Sequence, residues 1–301
     1  AGIVPRSVWK KMGEQGFLCT DIPEEYGGAG GDFLYSVIVC EELVKSNFSG
    51  LTASLHSDIC VPYISAFASE EQKRKYLPGC VAGDIITAVA MTEPNAGSDL
   101  AKMKTTAVED GDDVILNGQK TFISNGINCD LVIVAARDPD VKQEHQAVDL
   151  YLVEAGTPGF EKGKQIKKIG WHSQDTAELY FTDCRIPKGN RLGEKGSGFI
   201  KLMMKLQQER LVCSIGAVIA AEFILELTIK YCKERNAFGR PISKFQHVQF
   251  ELVEMATETK LGRTFLDKLI MDHIEGKNVV VEVAMAKYWT TDMAFRVADR
   301  C

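Results

Sequence analysis

The spacing of hydrophobic and polar residues changes twice along the chain. From residue 7 to about 80, apolar residues recur at helical spacing, for example over residues 34–44. Ser69 with Gln72 three residues later forms a capping box, which predicts the start of another helix. From about 85 to 186 the period becomes two, and after Gly198 the helical spacing returns and continues to the end. The pattern predicts helices, then strands, then helices.

The central region contains short apolar runs separated by turn residues. The predicted strands cover residues 85–91, 113–116, 131–136, 150–154 and 178–181. Asn117-Gly118 lies between two apolar runs, and because both residues tolerate a positive φ, we expect a hairpin turn there. A small antiparallel β-domain or barrel accounts for this pattern. The later helices, near residues 199–234, 243–274 and 278–300, have the short connections of an antiparallel bundle.

These elements predict an α+β fold with three domains. We expect an N-terminal α-helical domain at residues 1–84, a central antiparallel β-barrel domain at 85–195 and a C-terminal α-helical bundle at 196–301. Cys301 lies within a helical pattern that shows no Gly, Pro or capping signal, so we expect the bundle to be incomplete.

Composition narrows the class of protein. The 301 residues are 45% hydrophobic, which is ordinary for a globular protein with a sizeable core. No run approaches the roughly 18 uncharged apolar residues of a membrane span, so we expect no integral membrane segment. The net charge of −6 argues against nucleic-acid binding, which usually needs a basic surface.

The cysteines and histidines give no sign of a metal site. Nine cysteines and five histidines are dispersed, with no CxxC pair and no clustered ligand spacing. No histidine stands in a pattern that marks a hydrolase triad. We therefore expect no metal, and free thiols packed as small hydrophobic residues in a reducing compartment.

Two polar, glycine-containing segments stand at the ends of apolar runs, and we call them the first turn (residues 91–99) and the second turn (residues 119–126). Such turns can present backbone N–H groups and hydroxyls to a polar or anionic cofactor, so a cofactor site is the first hypothesis. Taken alone, a Pro-Asn-x-Gly cluster is also explained by loop geometry.

Glu209 is the leading candidate for acid–base chemistry. Steps of four and three residues place it on one helical stripe, predicted to face the interior, with Leu202, Leu206, Cys213, Gly216 and Ala220. Burial would raise the pKa of the carboxyl, as suits a base that removes a weakly acidic C–H proton, and the small residues would leave room for a ligand. The alternative is a structural glutamate paired with Arg210 or another cation.

Together these segments resemble a known family, the acyl-CoA dehydrogenases. The resemblance extends over essentially the whole chain and is strongest to the long-chain branch. It is carried by five motifs in order: MTEPNAGSD at 91–99, QKTFISNG at 119–126, ERL at 209–211, RNAFG at 235–239 and KFQ at 244–246.

The resemblance implies roles for individual residues. Glu209 matches the catalytic base of the long-chain and isovaleryl branches, and Ser98, Gln207, Gln208 and Arg210 fall at positions expected to contact substrate. Arg235 and Gln246 match positions that bind the FAD of a neighbouring subunit, although Arg235 alone would be interpreted as a surface cation and Phe238 as core. The implied contacts to FAD from the two turns are Met91, Thr92, Gly97, Ser98, Phe122, Ile123 and Ser124.

The implied activity is the FAD-dependent α,β-dehydrogenation of a long-chain or branched fatty acyl-CoA to trans-2-enoyl-CoA. Electrons would pass to an electron-transfer flavoprotein, from a homotetramer built as a dimer of dimers, in the mitochondrial matrix or the bacterial cytoplasm. Two alternatives remain open from the sequence: an acyl-CoA oxidase that uses oxygen, and a catalytically silent truncated homologue that acts as an interaction protein.

Overall fold

The computed structural model describes residues 2–48 and 50–301. Ser69 caps the helix Glu70–Val81 as the sequence predicts: its side chain accepts from the Gln72 backbone, and the Gln72 side chain accepts from the Ser69 backbone. A π-helical turn, Leu55–Cys60, precedes the helix Val61–Phe67. The helices are α1 Arg6–Glu14, α2 Phe33–Lys45, α3 Val61–Phe67, α4 Glu70–Val81, α5 Gly198–Glu234, α6 Gln246–Ile274 and α7 Val280–Arg300.

Strands fill the centre of the chain and form one seven-stranded sheet. Its strands are β1 Thr87–Ala90, β2 Thr106–Asp110, β3 Asp113–Ser124, β4 Leu131–Arg137, β5 Val148–Glu154, β6 Phe160–Gln165 and β7 Thr176–Pro187. Their order in the sheet is β1-β4-β2-β3-β7-β6, with β5 paired to β4. Most pairs are antiparallel, but β1 and β4 run parallel over four residue pairs, so the sheet is mixed. A separate two-stranded ribbon joins β8 Asn236–Ala237 to β9 Arg240–Pro241.

The helical, β and helical order predicted from the sequence is confirmed, but the predicted hairpin at Asn117-Gly118 is wrong. Both residues lie inside β3, where the register with β7 shifts, and the Asn117 side chain bonds to Asp183 on β7. A Cβ on Gly118 would lie 2.7 Å from Thr105 Cα, so this glycine is needed for a close approach of two backbones. The turn between β2 and β3 instead contains Gly111, with φ +60°.

The described residues divide into two compact units. One contains the described residues of Ala1–Asp32 and Ser49–Lys205, and the other contains Phe33–Phe48 and Leu206–Cys301. In the first, apolar residues of the sheet such as Val132, Leu179 and Phe181 form a buried core. In the second, α2, α5, α6 and α7 contribute a helical core.

Helix α5 is long and apolar enough to meet a membrane-span criterion, with a mean hydropathy of 2.0 over 18 residues. Length and composition alone do not distinguish a membrane span from a core helix, and 33% of this window is buried inside the protein. Leu211, Ile215 and Val218 on this helix belong to the buried core of the second unit. One face of the helix therefore contributes to that core.

Most of the cysteines are packed as the sequence predicts. In the described chain Cys213 and Cys301 are exposed thiols, and the other seven cysteines are buried thiols. Burial raises the pKa of the Cys129 thiol to about 12 and that of Cys184 to about 11, which keeps both protonated at neutral pH.

His56 fixes the start of β1 from within the core. Its Nδ1 accepts from the Thr87 backbone N–H at 3.1 Å, and its Nε2 lies 3.0 Å from the Cys80 carbonyl, to which it donates. Both nitrogens are used by the neutral imidazole, and the ring is fully buried with its edge against Trp9. Burial lowers the pKa of His56 to about 4.

This burial predicts an acid-sensitive fold. Because the folded-state pKa lies below the ordinary value of 6.5, the unfolded chain binds the proton first, and stability present above pH 6.5 is lost as the pH falls toward 4. Between pH 7.5 and pH 5 the loss from His56 is expected to be about 2 kcal/mol. Denaturant unfolding at both pH values measures it, and His56→Gln is expected to remove this part of the pH dependence. An equal pH dependence in the variant would contradict the assignment.

Candidate active site

The first turn follows β1 directly and is closed at its base. Glu93 N–H donates to the Ala96 carbonyl at 2.9 Å, and Ala96 N–H donates back to the Glu93 carbonyl at 3.2 Å. Pro94, at the second position of this four-residue turn, has the fixed φ that such turns favour. Gly97 and Ser98 are exposed beyond it, whereas Met91 and Thr92 are half-buried. The turn therefore presents residues 97 and 98 from a fixed base.

The second turn forms the end of β3, where the register with β7 shifts again between Lys120 and Ile123. Phe122 sits at this irregularity with φ +59° and a 66% exposed side chain. A positive φ on a bulky residue costs of order 1 kcal/mol or more, and such strain concentrates at functional sites. Ile123 next to it is buried in the sheet core, so only its backbone is available to a ligand.

Asn125 anchors the second turn, also from a left-handed conformation, with φ +60°. Its amide donates to the Thr87 carbonyl on β1 at 3.1 Å, and its backbone N–H donates to Asp175 O at 3.1 Å. The Asp175 carboxylate then accepts from the Ile127 N–H at 2.7 Å. The second turn is thus connected to β1 and to the segment before β7.

The two turns lie side by side, because Thr121 N–H donates to the Thr92 carbonyl at 2.9 Å. The Thr92, Ser98 and Ser124 hydroxyls donate to no protein partner within residues 2–48 and 50–301. Together with the exposed Phe122 ring, they offer hydrogen-bond donors and an apolar plane on one unit. This chemistry fits the polar edge and flat ring of a flavin.

The structure corrects the predicted stripe around Glu209. The buried face of α5 carries Leu211, Ile215, Val218, Ile219 and Leu225, whereas Glu209 is only half-buried and Cys213 is exposed. The reason is that α5 packs its bulky residues into the helical core, which turns the small-residue stripe away from it. A Cβ on Gly216 would meet nothing within 4 Å, so the surface beside this stripe is open. Space for a ligand beside the stripe stays a prediction, whereas the prediction that this stripe faces the interior is wrong.

Gln207 has a structural task that the sequence did not show. Its amide oxygen accepts from Val279 N–H at the start of α7, at 3.1 Å. The amide nitrogen donates to Lys277 O and to His273 Nδ1, each at 3.1 Å. Its side chain therefore caps α7, which weakens the prediction of a substrate contact. Gln208 and Arg210 are half-buried beside it on α5.

Arg235 comes directly before β8, Gln246 is the first residue of α6, and both are exposed. Between them Phe238 is 95% exposed at φ +52°, so the alternative that places Phe238 in the core is wrong. The type of turn that joins β8 to β9 needs positive φ, and the turn holds the ring outward. These residues remain available for contacts outside the chain.

Sequence reasoning missed two buried polar residues that organise the turns, Lys120 and Asn125. Both lie inside the recognised motifs. Lys120 faces the buried side of its strand, where the alternating pattern otherwise places apolar residues. A lysine flanked by strand residues could have raised the question of a buried partner. The partner itself, Glu93, is distant in sequence and could not be chosen from it.

Comparison with known proteins agrees with this architecture. Three family models match in order: the acyl-CoA dehydrogenase N-terminal domain at residues 1–84, the middle domain at 88–184 and the C-terminal domain at 196–301. The chain is 45% identical to a mitochondrial long-chain specific acyl-CoA dehydrogenase of Sus scrofa, over all of this chain and 70% of that protein.

Solved structures give the same result. An acyl-CoA dehydrogenase from Geobacillus kaustophilus matches with a TM-score of 0.97 and 57% identity, over 99% of this chain and 79% of that one. A glutaryl-CoA dehydrogenase from Mycobacterium smegmatis in complex with FADH2 matches with a TM-score of 0.92 and 30% identity, over 100% and 76%. The fold, the matched domains and the identity over the full chain show that this protein belongs to the acyl-CoA dehydrogenase family of flavin-dependent oxidoreductases.

Proposed function

We propose that this chain binds FAD through its two turns and oxidises a long-chain or branched fatty acyl-CoA to trans-2-enoyl-CoA. The observation that carries the proposal is the arrangement of the turns. Three hydroxyls that have no partner among the described residues, and an exposed, strained Phe122, stand on backbone that is held in place. The long-chain assignment is supported by the 45% identity to a long-chain relative.

Residues of the two turns would hold FAD through hydrogen bonds and through contact with the flavin ring. Backbone groups of Met91, Gly97 and Ile123 and the hydroxyls of Thr92, Ser98 and Ser124 would donate or accept hydrogen bonds, and the Phe122 ring would cover the flavin plane. When bound, FAD would supply the two-electron oxidation by accepting a hydride from the β-carbon. Arg235 and Gln246, both exposed, would contact the FAD of a neighbouring subunit in a homotetramer.

Glu209 would act as the base of this reaction. Its carboxylate would accept the α-proton of the acyl-CoA, and the electron pair of that C–H bond would form the new double bond as the β-hydride leaves. The open surface beside Gly216, on the same helical stripe, leaves space for a ligand along the helix. Ser98, Gln208 and Arg210 would contact the substrate, whereas Gln207 would act indirectly by holding the start of α7.

The experiment is an anaerobic titration of the FAD-reconstituted chain with saturated acyl-CoAs of increasing length, followed by flavin absorbance. We expect long-chain or branched substrates to bleach the flavin, and short ones to bleach it less. Transfer of the electrons to an electron-transfer flavoprotein would support a dehydrogenase located in a mitochondrial matrix or a bacterial cytoplasm. Hydrogen peroxide formed in air at the rate of turnover would identify an oxidase, and a chain that neither carries nor takes up FAD would identify a silent homologue.

A further inference from the structure

Lys120 and Glu93 form a buried ion pair between the two turns. Lys120 Nζ lies 2.8 Å from Glu93 Oε1, and the side chains are 0% and 4% exposed. Burial by itself raises the pKa of Glu93, but the adjacent ammonium, together with hydrogen bonds from Thr105 and Lys104, holds the pKa of the carboxyl below its usual range. Burial lowers the pKa of Lys120, and Glu93 opposes that change. The two groups therefore face each other almost entirely shielded from solvent.

The hydrogen bonds of the pair reach two other backbone segments. Lys120 Nζ donates to the Met91 carbonyl at 3.1 Å, at the entry to the first turn. The Glu93 carboxylate accepts from the backbone N–H groups of Lys104 at 2.6 Å and Thr105 at 2.9 Å, where the chain returns toward β2. Lys120 itself comes immediately before the irregularity of β3 that carries Phe122. One pair thus joins the entry and exit of the first turn to the base of the second.

General energetics argue against stability as the reason for this pair. A buried ion pair usually gives no more stability than apolar residues of the same volume, because desolvation of both charges offsets their attraction. Its hydrogen bonds are directional, however, and an apolar pair cannot reproduce them. What the pair can provide is therefore geometry: its hydrogen bonds fix the relative position of the segments that they connect.

We infer that Lys120 and Glu93 are positioning residues that hold the first and second turns in the geometry needed to bind FAD, without touching the cofactor themselves. The inference rests on the proposed function, because it assigns FAD to these turns. It explains why Phe122 keeps a strained conformation. Lys120, two residues earlier, is held by the contacts of its ammonium group, and Thr121 between them donates its backbone N–H to the Thr92 carbonyl.

The test replaces both charges at once. Glu93→Leu with Lys120→Met removes the pair and leaves no buried charge, so the double variant is expected to fold, whereas either single variant leaves one charge unpaired. In the apo double variant, amide hydrogen exchange is expected to speed up in residues 91–98 and 119–126 and to stay unchanged in α6. FAD affinity is expected to fall at least about tenfold, the effect of losing one well-placed hydrogen bond.

Lys201 provides the matched control. It is also a buried lysine of the same unit, and its Nζ donates to the Leu192 carbonyl and the Ser197 hydroxyl, each at 2.6 Å, away from both turns. Lys201→Met is expected to change stability but to leave FAD affinity within about twofold, since none of its contacts reaches the turns.

Two results would overturn the inference. One is a folded double variant with wild-type FAD affinity and wild-type exchange in both turns. The other is an equal loss of FAD affinity in Lys201→Met. If the double variant does not fold, Glu93→Gln with Lys120→Met, which also leaves no buried charge and removes the ammonium contact to the Met91 carbonyl, provides the same exchange measurement. A wild-type chain that binds no FAD would reject the proposed function, and the apo exchange data would still decide whether the pair holds the turns.

Discussion

Glu209→Gln is expected to bind FAD normally and to lose the reaction. The amide keeps the size of the side chain but cannot accept the α-proton, and loss of a positioned base typically lowers a rate by roughly 10²–10⁴-fold. We expect the yellow absorbance and FAD content of the wild type, with flavin bleaching by a long-chain acyl-CoA slowed by about 10³-fold. Anaerobic stopped-flow absorbance measures this rate directly.

Glu226 is a suitable control for this variant. It lies on the same helix, α5, and is exposed, so Glu226→Gln makes the same chemical change without removing the proposed base. Its bleaching rate is expected to match the wild type. Wild-type bleaching in Glu209→Gln would remove Glu209 from its role. A colourless Glu209→Gln protein would show that the residue supports FAD binding.

Gly83→Ala is expected to destabilise the fold far more than Gly16→Ala. The two glycines have nearly the same backbone conformation, with φ +72° and +73°, but different surroundings. A Cβ on Gly83 would lie 2.3 Å from the Trp9 carbonyl oxygen in α1, whereas one on Gly16 would meet nothing within 4 Å. The left-handed conformation costs about 1 kcal/mol in both variants, and the clash raises the cost at Gly83 to about 3 kcal/mol.

Denaturant unfolding of the two variants isolates the effect of the close contact. Gly83 comes shortly before β1, and α1 is bound to the same turn through Arg6, which donates to the Asp84 carbonyl at 2.9 Å. Displacement of α1 would therefore also disturb the strand that leads to the first turn. Equal losses of stability in the two variants would show that only backbone strain, and not the approach of α1, matters at residue 83.

Sequence patterns predicted local structure well, but they predicted contacts between distant residues poorly. The capping box at Ser69 and the helices near 199–234 and 278–300 depend on neighbouring residues, and they were found close to the predicted positions. Asn117-Gly118 has the composition of a hairpin, yet it lies in a continuous strand because Asp183 and Thr105 approach it from distant parts of the chain. Local preference gave way there to tertiary contacts.

The candidate site shows the same division. The motifs identified the two turns and Glu209, since these are short runs of residues with recognisable chemistry. The predicted interior stripe on α5 was wrong, because helical spacing defines several possible faces, and the packing partners decide which of them is buried. Gln207 shows that a polar residue beside a proposed base can instead cap the next helix.

By itself, the sequence determined the order of helices and strands, the family and the two turns, because these depend on spacing and on contiguous motifs. Only the tertiary structure decided that Lys120 pairs with Glu93, that Phe122 is held outward at a positive φ, and which face of α5 is buried. The physical reason is that burial and charge pairing depend on which distant segments meet, and residue spacing along the chain does not contain that information.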